Sequence, residues 1–166
     1  PSNYIKHSAM KKTLLEKTAD KLVNAFINNK IIAPIPTKFT KKLGEAQKLR
    51  KLCESKVKDP IIGFKAAGTG FPVMKKLKEK EPFYAAIFKK NFLKSGQKVK
   101  INKSTFGIEL EVCYLIKQSF FSSKGSITIK NVTKYISHMA PCIEVIGYRQ
   151  RKKGITSFGD LCSDFG

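Results

Sequence analysis

The chain reads as an α+β protein in which N-terminal helices lead into a strand-rich body. Three observations predict this. Apolar residues repeat at helical spacing in two early stretches. From Ile61 onward, short apolar runs split by Gly and Pro dominate. One of those runs carries two glutamates at alternating positions, the pattern of a strand with two different faces, and another carries a single glutamate.

Residues 1–12 are polar and read as a frayed end. Thr13 with Glu16 forms a capping-box pattern, and Leu15, Ala19, Leu22 and Phe26 then share a helical face as far as Asn28-Asn29. Residues 31–36, punctuated by proline, read as an extended connector. A second helix is expected over about 41–56, with Leu43, Ala46, Leu49, Leu52 and Cys53 on one face. Residues 61–67 read as a short strand, residues 68–70 as a turn, and residues 72–79 as a helix begun by Pro72. Strands are expected at 83–88, 98–102, 107–117 and 126–129. Asn131 is placed to cap a helix with Val132, Tyr135, Ile136 and Met139 on one face, ended by Pro141. A strand over 142–148 and a basic loop over 149–154 follow. The organisation is a helical region over 1–59 and a strand-rich core over 60–166, both within one domain.

The net charge of +21 would attract polyanions non-specifically. All but three of the 33 basic residues are lysine, however, the exceptions being Arg50, Arg149 and Arg151. Arginine is the usual reader of phosphates and bases. A dispersed lysine excess fits a solubility surface or a codon bias better than a dedicated nucleic-acid interface. Basic runs at Lys75–Lys80 and Arg149–Lys153 keep polyanion binding as an alternative. The four cysteines lack C-x-x-C spacing and only two histidines accompany them, which argues against a zinc site of the usual type. Cys113 and Cys142 lie in apolar runs and read as reduced core residues. Neither a signal-peptide pattern nor an apolar stretch of membrane-spanning length is visible, so the expected setting is the cytoplasm.

Only 12 of 166 residues are acidic, yet Glu109 and Glu111 sit in one apolar run and Glu144 in another. Carboxylates go inside only when paired or bound to a metal. On a strand, Glu109 and Glu111 share a face about 6–7 Å apart, together with Gly107, Cys113 and Leu115. Ile108, Leu110, Val112, Tyr114 and Ile116 form the opposite face, which has the composition of a core face. Two adjacent carboxylates repel unless a cation lies between them. A third, from Glu144, would complete a hard-oxygen site suited to Mg²⁺ or Mn²⁺. The alternative is a solvent-facing strand with ordinary surface glutamates.

Several segments resemble, in order, the 2-hydroxypentadienoate (2-keto-4-pentenoate) hydratase and oxalocrotonate decarboxylase family of the fumarylacetoacetate hydrolase-like superfamily. Gly63-Phe-Lys-Ala-Ala-Gly-Thr69 is similar to Gly-Tyr/Trp-Lys-Ile-Gly-Leu-Thr, and Glu81-Pro-Phe-Tyr-Ala-Ala-Ile-Phe88 to Gln/Glu-Pro-Asp-Phe-Gly-x-Leu-Phe. Ile108-Glu-Leu-Glu-Val-Cys-Tyr-Leu-Ile116 is similar to the metal strand Val-Glu-x-Glu-Ile-Ala-Phe-Val-Leu. Ala140-Pro-Cys-Ile-Glu-Val-Ile-Gly-Tyr-Arg149 is similar to Pro-Ala-Ile-Glu-Ile-Val-Asp-Ser-Arg. Phe158-Gly-Asp-Leu-Cys-Ser-Asp164 is similar to the segment that ends in Ala-Asp-Asn.

The resemblance implies a barrel-like mixed-sheet core with short helices. It implies Mg²⁺ or Mn²⁺ held by Glu109, Glu111 and Glu144, gripping the 2-oxo acid end of a small dienoic acid and stabilising an enolate. Lys65 would move a proton or hold the substrate carboxylate, Thr69 would donate a hydrogen bond, and Arg149 would bind substrate. The implied reaction is addition of water to a 2-hydroxydienoate, with decarboxylation of a 2-oxo-3-hexenedioate as the sibling activity.

Departures from the pattern are Phe83 for an Asp, Ala85 and Ala67 for glycines, Gly147 for an Asp and Phe165 for an Asn. They raise the alternative of a non-catalytic descendant. Family members continue past the last matched segment. The expected partners are therefore a small dienoic acid and either a second copy or another polypeptide that completes the core.

Overall fold

The computed structural model describes residues 11–150 and 157–165. The expected frayed residues before Lys11 and the basic positions 151–154 lie outside these. The described chain is α+β, and its contacts divide it into two units: residues 1–104 with 148–166, and residues 105–147.

In the larger unit, α1 spans Leu14–Ile27 and opens with the complete capping box. The Thr13 hydroxyl oxygen accepts from the Glu16 N–H, and the Glu16 carboxylate accepts from the Thr13 N–H. Helix α2 spans Leu43–Lys56 and buries Ala46, Leu49, Arg50 and Cys53. Strand β1 (Ile61–Ala67) pairs antiparallel with β2 (Phe83–Phe88), with Lys65 opposite Ala85. Helix α3 (Phe71–Leu77) fills the connection. Between β1 and α3, Gly68 adopts φ +71°, where a β-carbon would run into the ring of Phe158.

One core cluster joins Leu22, Val23 and Phe26 of α1 to Leu49 and Cys53 of α2 and to Ala86 and Phe88 of β2. A second joins Ala46, Met74, Phe83, Phe158 and Cys162. A short C-terminal helix, Phe158–Ser163, is capped by Ser157. It lies so close to the 37–40 turn that a β-carbon at Gly159 would overlap the Thr40 carbonyl.

In the smaller unit, β3 (Thr105–Ile116) pairs antiparallel with β4 (Ile136–Gly147) along nearly its whole length. Helix α4 (Gln118–Ser122) and a 3₁₀ turn (Val132–Tyr135) occupy the connection, where Phe120 packs edge-on against Tyr135. The C-terminal helix of the other unit is therefore α5 in chain order.

Three element expectations are corrected here. Residues 98–102 and 126–129 form no strand. The helix expected after Asn131 is a single 3₁₀ turn, and Ile136 already begins β4. Met139, Pro141, Ile143 and Val145 face Tyr114, Val112, Leu110 and Ile108 in register, and this long pairing outweighs one turn of helical periodicity. Pro141 is tolerated because β4 is an edge strand, with one side outside the ladder. The apolar face expected in the core is also open: Leu110 is 85% exposed, and Ile108, Val112, Tyr114, Met139 and Ile143 are exposed with it.

Candidate metal centre

The register of β3 and β4 decides the site. Glu109 stands directly opposite Glu144, and Glu111 directly opposite Cys142. Opposed residues share a sheet face, and so do residues two apart on one strand. Glu109, Glu111 and Glu144 therefore converge, and one carboxylate oxygen from each lies within 4.8 Å of the others. Glu109 and Glu111 are exposed and Glu144 is half-buried, which corrects the expectation of interior carboxylates. Among the described residues no salt bridge reaches Glu109 or Glu111.

The residues present fit a hard divalent cation. They are all-oxygen, anionic donors on an accessible face, so a bound cation would offset the charge repulsion among them. Ligand oxygens on opposite sides of a Mg²⁺ ion stand about 4 Å apart, so small side-chain rotations suffice to close the triad on one.

Cys113 and Cys142 lie on this same face, half-buried and free, rather than in the core. Burial pushes the Cys142 thiol up, and the charges of Cys113, Glu111 and Glu144 push it further. Sequence reading placed Cys142 in an apolar run. The available signal was its spacing of two from Glu144, which puts both on one strand face.

The other expected site residues belong to the larger unit. Lys65 is half-buried on β1, and Thr69 is exposed in the connection after it. Arg149 is engaged locally: its Nη1 donates to the Asp164 carbonyl at 2.9 Å and Oδ1 at 3.3 Å, and its N–H donates to Oδ2 at 2.7 Å. Its guanidinium also lies over the rings of Phe26 and Phe165. Burial raises the Asp164 carboxyl despite that partner. Phe83, at the position of the expected Asp, is buried edge-on against Phe158. Phe165 stacks on Phe26 with ring centroids 4.4 Å apart.

No protein-family model matches the sequence, and no curated protein matches it. Two solved structures of 4-oxalocrotonate decarboxylase from Pseudomonas putida G7 do match in structure. One, complexed with magnesium and adipate, gives a TM-score of 0.70. The other, complexed with calcium and acetate, gives 0.67. Each is 15% identical, covering 95% of this chain and 60% of the decarboxylase chain. The likeness is one of fold, which in these neighbours is fumarylacetoacetate hydrolase-like. The chain spans about three-fifths of the length of these fumarylacetoacetate hydrolase-like neighbours. Among the described residues, no helix is long and apolar enough to cross a membrane.

Proposed function

We propose that this chain carries the divalent-metal site of a lyase acting on small 2-oxo or 2-hydroxydienoic acids. One observation carries the reading: the oxygens of Glu109, Glu111 and Glu144 converge within 4.8 Å on an accessible sheet face. When bound there, Mg²⁺ or Mn²⁺ supplies Lewis acidity toward the oxygens of a 2-oxo acid. Glu109 and Glu144 would hold it from facing strands, and Glu111 from the next position on the same face. The roles of Lys65 in proton movement, Thr69 as hydrogen-bond donor and Arg149 in binding the acidic substrate rest on the sequence resemblance. So do a barrel-like completion of the core, by further chain, a second copy or another polypeptide, and a cytoplasmic setting.

Hydration of a 2-hydroxydienoate is the first reading. Decarboxylation is the second, and two observations favour it. The structural neighbours are named as decarboxylases. The buried ring of Phe83 cannot exchange a proton. Loss of CO₂ needs no activated water, so it tolerates one acid/base group fewer than hydration does.

The test is calorimetric titration of Mg²⁺ and Mn²⁺ into metal-stripped protein, with and without oxalate as a 2-oxo acid mimic. Binding is expected, tighter with oxalate, and lost in Glu109→Ala/Glu111→Ala. Unchanged affinity in that double variant overturns the proposal. Turnover that depends on Lys65 would exclude a non-catalytic role, and CO₂ release against water addition separates the two reactions.

A further inference from the structure

We infer that the apolar face of the β3–β4 pair is a docking surface for a second copy of this chain, packed face against face. The inference takes up the second-copy form of the proposed core completion and does not depend on the triad holding a metal. Four successive cross-strand pairs, from Ile108–Val145 to Tyr114–Met139, put eight apolar side chains on one side of the sheet. None of the eight carries a charge. Leu110 is 85% exposed, Met139 71% and Ile143 62%.

The size of the face fits a stable interface. The largest apolar patch on a typical monomer covers about 300–600 Å². These side chains expose on the order of 800 Å², which is what each partner gives to a standard interface. Two such faces packed together clear the roughly 1,000 Å² that a specific interface needs, even with about a third of each left accessible at the rim.

The chemistry selects a copy as the occupant. With a net charge of +21, the lysines of this chain are what an acidic partner would seek. The β3–β4 face offers such a partner no charge to pair with. A copy presents the same uncharged surface, and a two-fold pair matches that face to itself. Twisted sheets pack in this way about 10 Å apart, with their side chains interdigitated. The smaller Val112–Pro141 pair lies between the larger Leu110–Ile143 and Tyr114–Met139 pairs, which leaves room there for large side chains of the copy. Association through the strand edge is disfavoured, because Pro141 on β4 has no N–H to extend the ladder. Side chains alternate along a strand, so docking this face leaves Glu109, Glu111 and Glu144 open on the other.

The test is sedimentation equilibrium of the full chain across the micromolar range, at low and high salt. A monomer–dimer equilibrium is expected. It should tighten at high salt, because ions screen the repulsion between two copies of charge +21, whereas docking of an acidic partner would weaken. Leu110→Lys should raise the dimer dissociation constant roughly tenfold or more. Phe71→Ser should leave it unchanged, since that ring is 82% exposed but belongs to α3 and not to this face. Met139→Gln, at a second exposed position of the face, replaces Leu110→Lys if circular dichroism shows that variant unfolded. A monomer at every concentration, a dimer that survives in the folded face variant, or a dimer lost in Phe71→Ser overturns the inference. Mg²⁺ titration of the same samples keeps the two readings apart. Mg²⁺ binding by a strict monomer overturns this inference alone. A face-dependent dimer that binds no Mg²⁺ upholds it and overturns the metal reading.

Discussion

Glu109 stands directly opposite Glu144 across the β3–β4 pair. Their carboxylates thus share one sheet face with that of Glu111. Opposed like charges destabilise a strand pair, so a cation held between them would add stability. Glu109→Gln is therefore expected to raise metal-free stability slightly, by less than about 1 kcal/mol, while abolishing any Mg²⁺-dependent gain. Thermal unfolding with and without Mg²⁺ checks both parts. A full Mg²⁺-dependent gain in the variant would contradict the role of Glu109.

The C-terminal helix α5 depends on a close backbone approach. Gly159 leaves no room for a β-carbon beside the Thr40 carbonyl, and Ser157 donates its hydroxyl to that same oxygen at 2.9 Å. Gly159→Ala should cost about 1–3 kcal/mol, the usual range for overpacking. Gly68→Ala should fall in the same range, because it combines a positive φ with a clash against Phe158. Urea unfolding of each variant measures it. Parental midpoints would mean that α5 docks loosely enough to absorb the added methyl group.

Arg50 is buried with Glu54 as its ion-pair partner on α2 and lies over the Tyr84 ring. Removing the carboxylate strands a buried cation, whereas replacing the cation leaves a carboxylate that still accepts from the Ala86 N–H. Glu54→Ala is expected to cost about 3–5 kcal/mol and Arg50→Leu distinctly less. Equal losses in chemical denaturation would argue against this asymmetry.

Burial raises the Asp164 carboxyl above its ordinary value of 3.8, against the pull of Arg149. The folded protein thus holds that proton more tightly than the unfolded chain does. The contribution is fully present below about 3.8 and is lost as pH rises through the raised folded value. Between the acid range and neutrality, the parent should lose more stability than Asp164→Asn. Unfolding free energies across that range measure the difference, and a difference that does not change with pH refutes it.

Burial pushes the Cys53 thiol up to about 12 and the Cys162 thiol up to about 11. Both are unreactive in the folded state, since the thiolate is the nucleophile. Cys113 and Cys142 are the half-buried pair. Brief alkylation of native protein should label only those two, and all four after denaturation. Early labelling of Cys53 would mean that the α1–α2 core opens readily.

Local chemistry in the sequence determined a good deal. The Thr13–Glu16 box starts α1 because both hydrogen bonds close within four residues. The strands at 61–67 and 83–88 fall where their apolar runs are cut by Gly and Pro. Strand alternation alone puts Glu109 and Glu111 on one face. Tertiary structure decided the rest. Glu144 meets Glu109, and Cys142 meets Glu111, only through the β3–β4 register, which joins residues more than thirty positions apart. The same pairing made residues 136–141 strand rather than helix, and the docking of α5 committed Arg149 to Asp164. Periodicity is a property of a few neighbouring residues. Register and docking are set by whichever distant surfaces bury the most area and satisfy the most hydrogen bonds, and no local pattern encodes that choice.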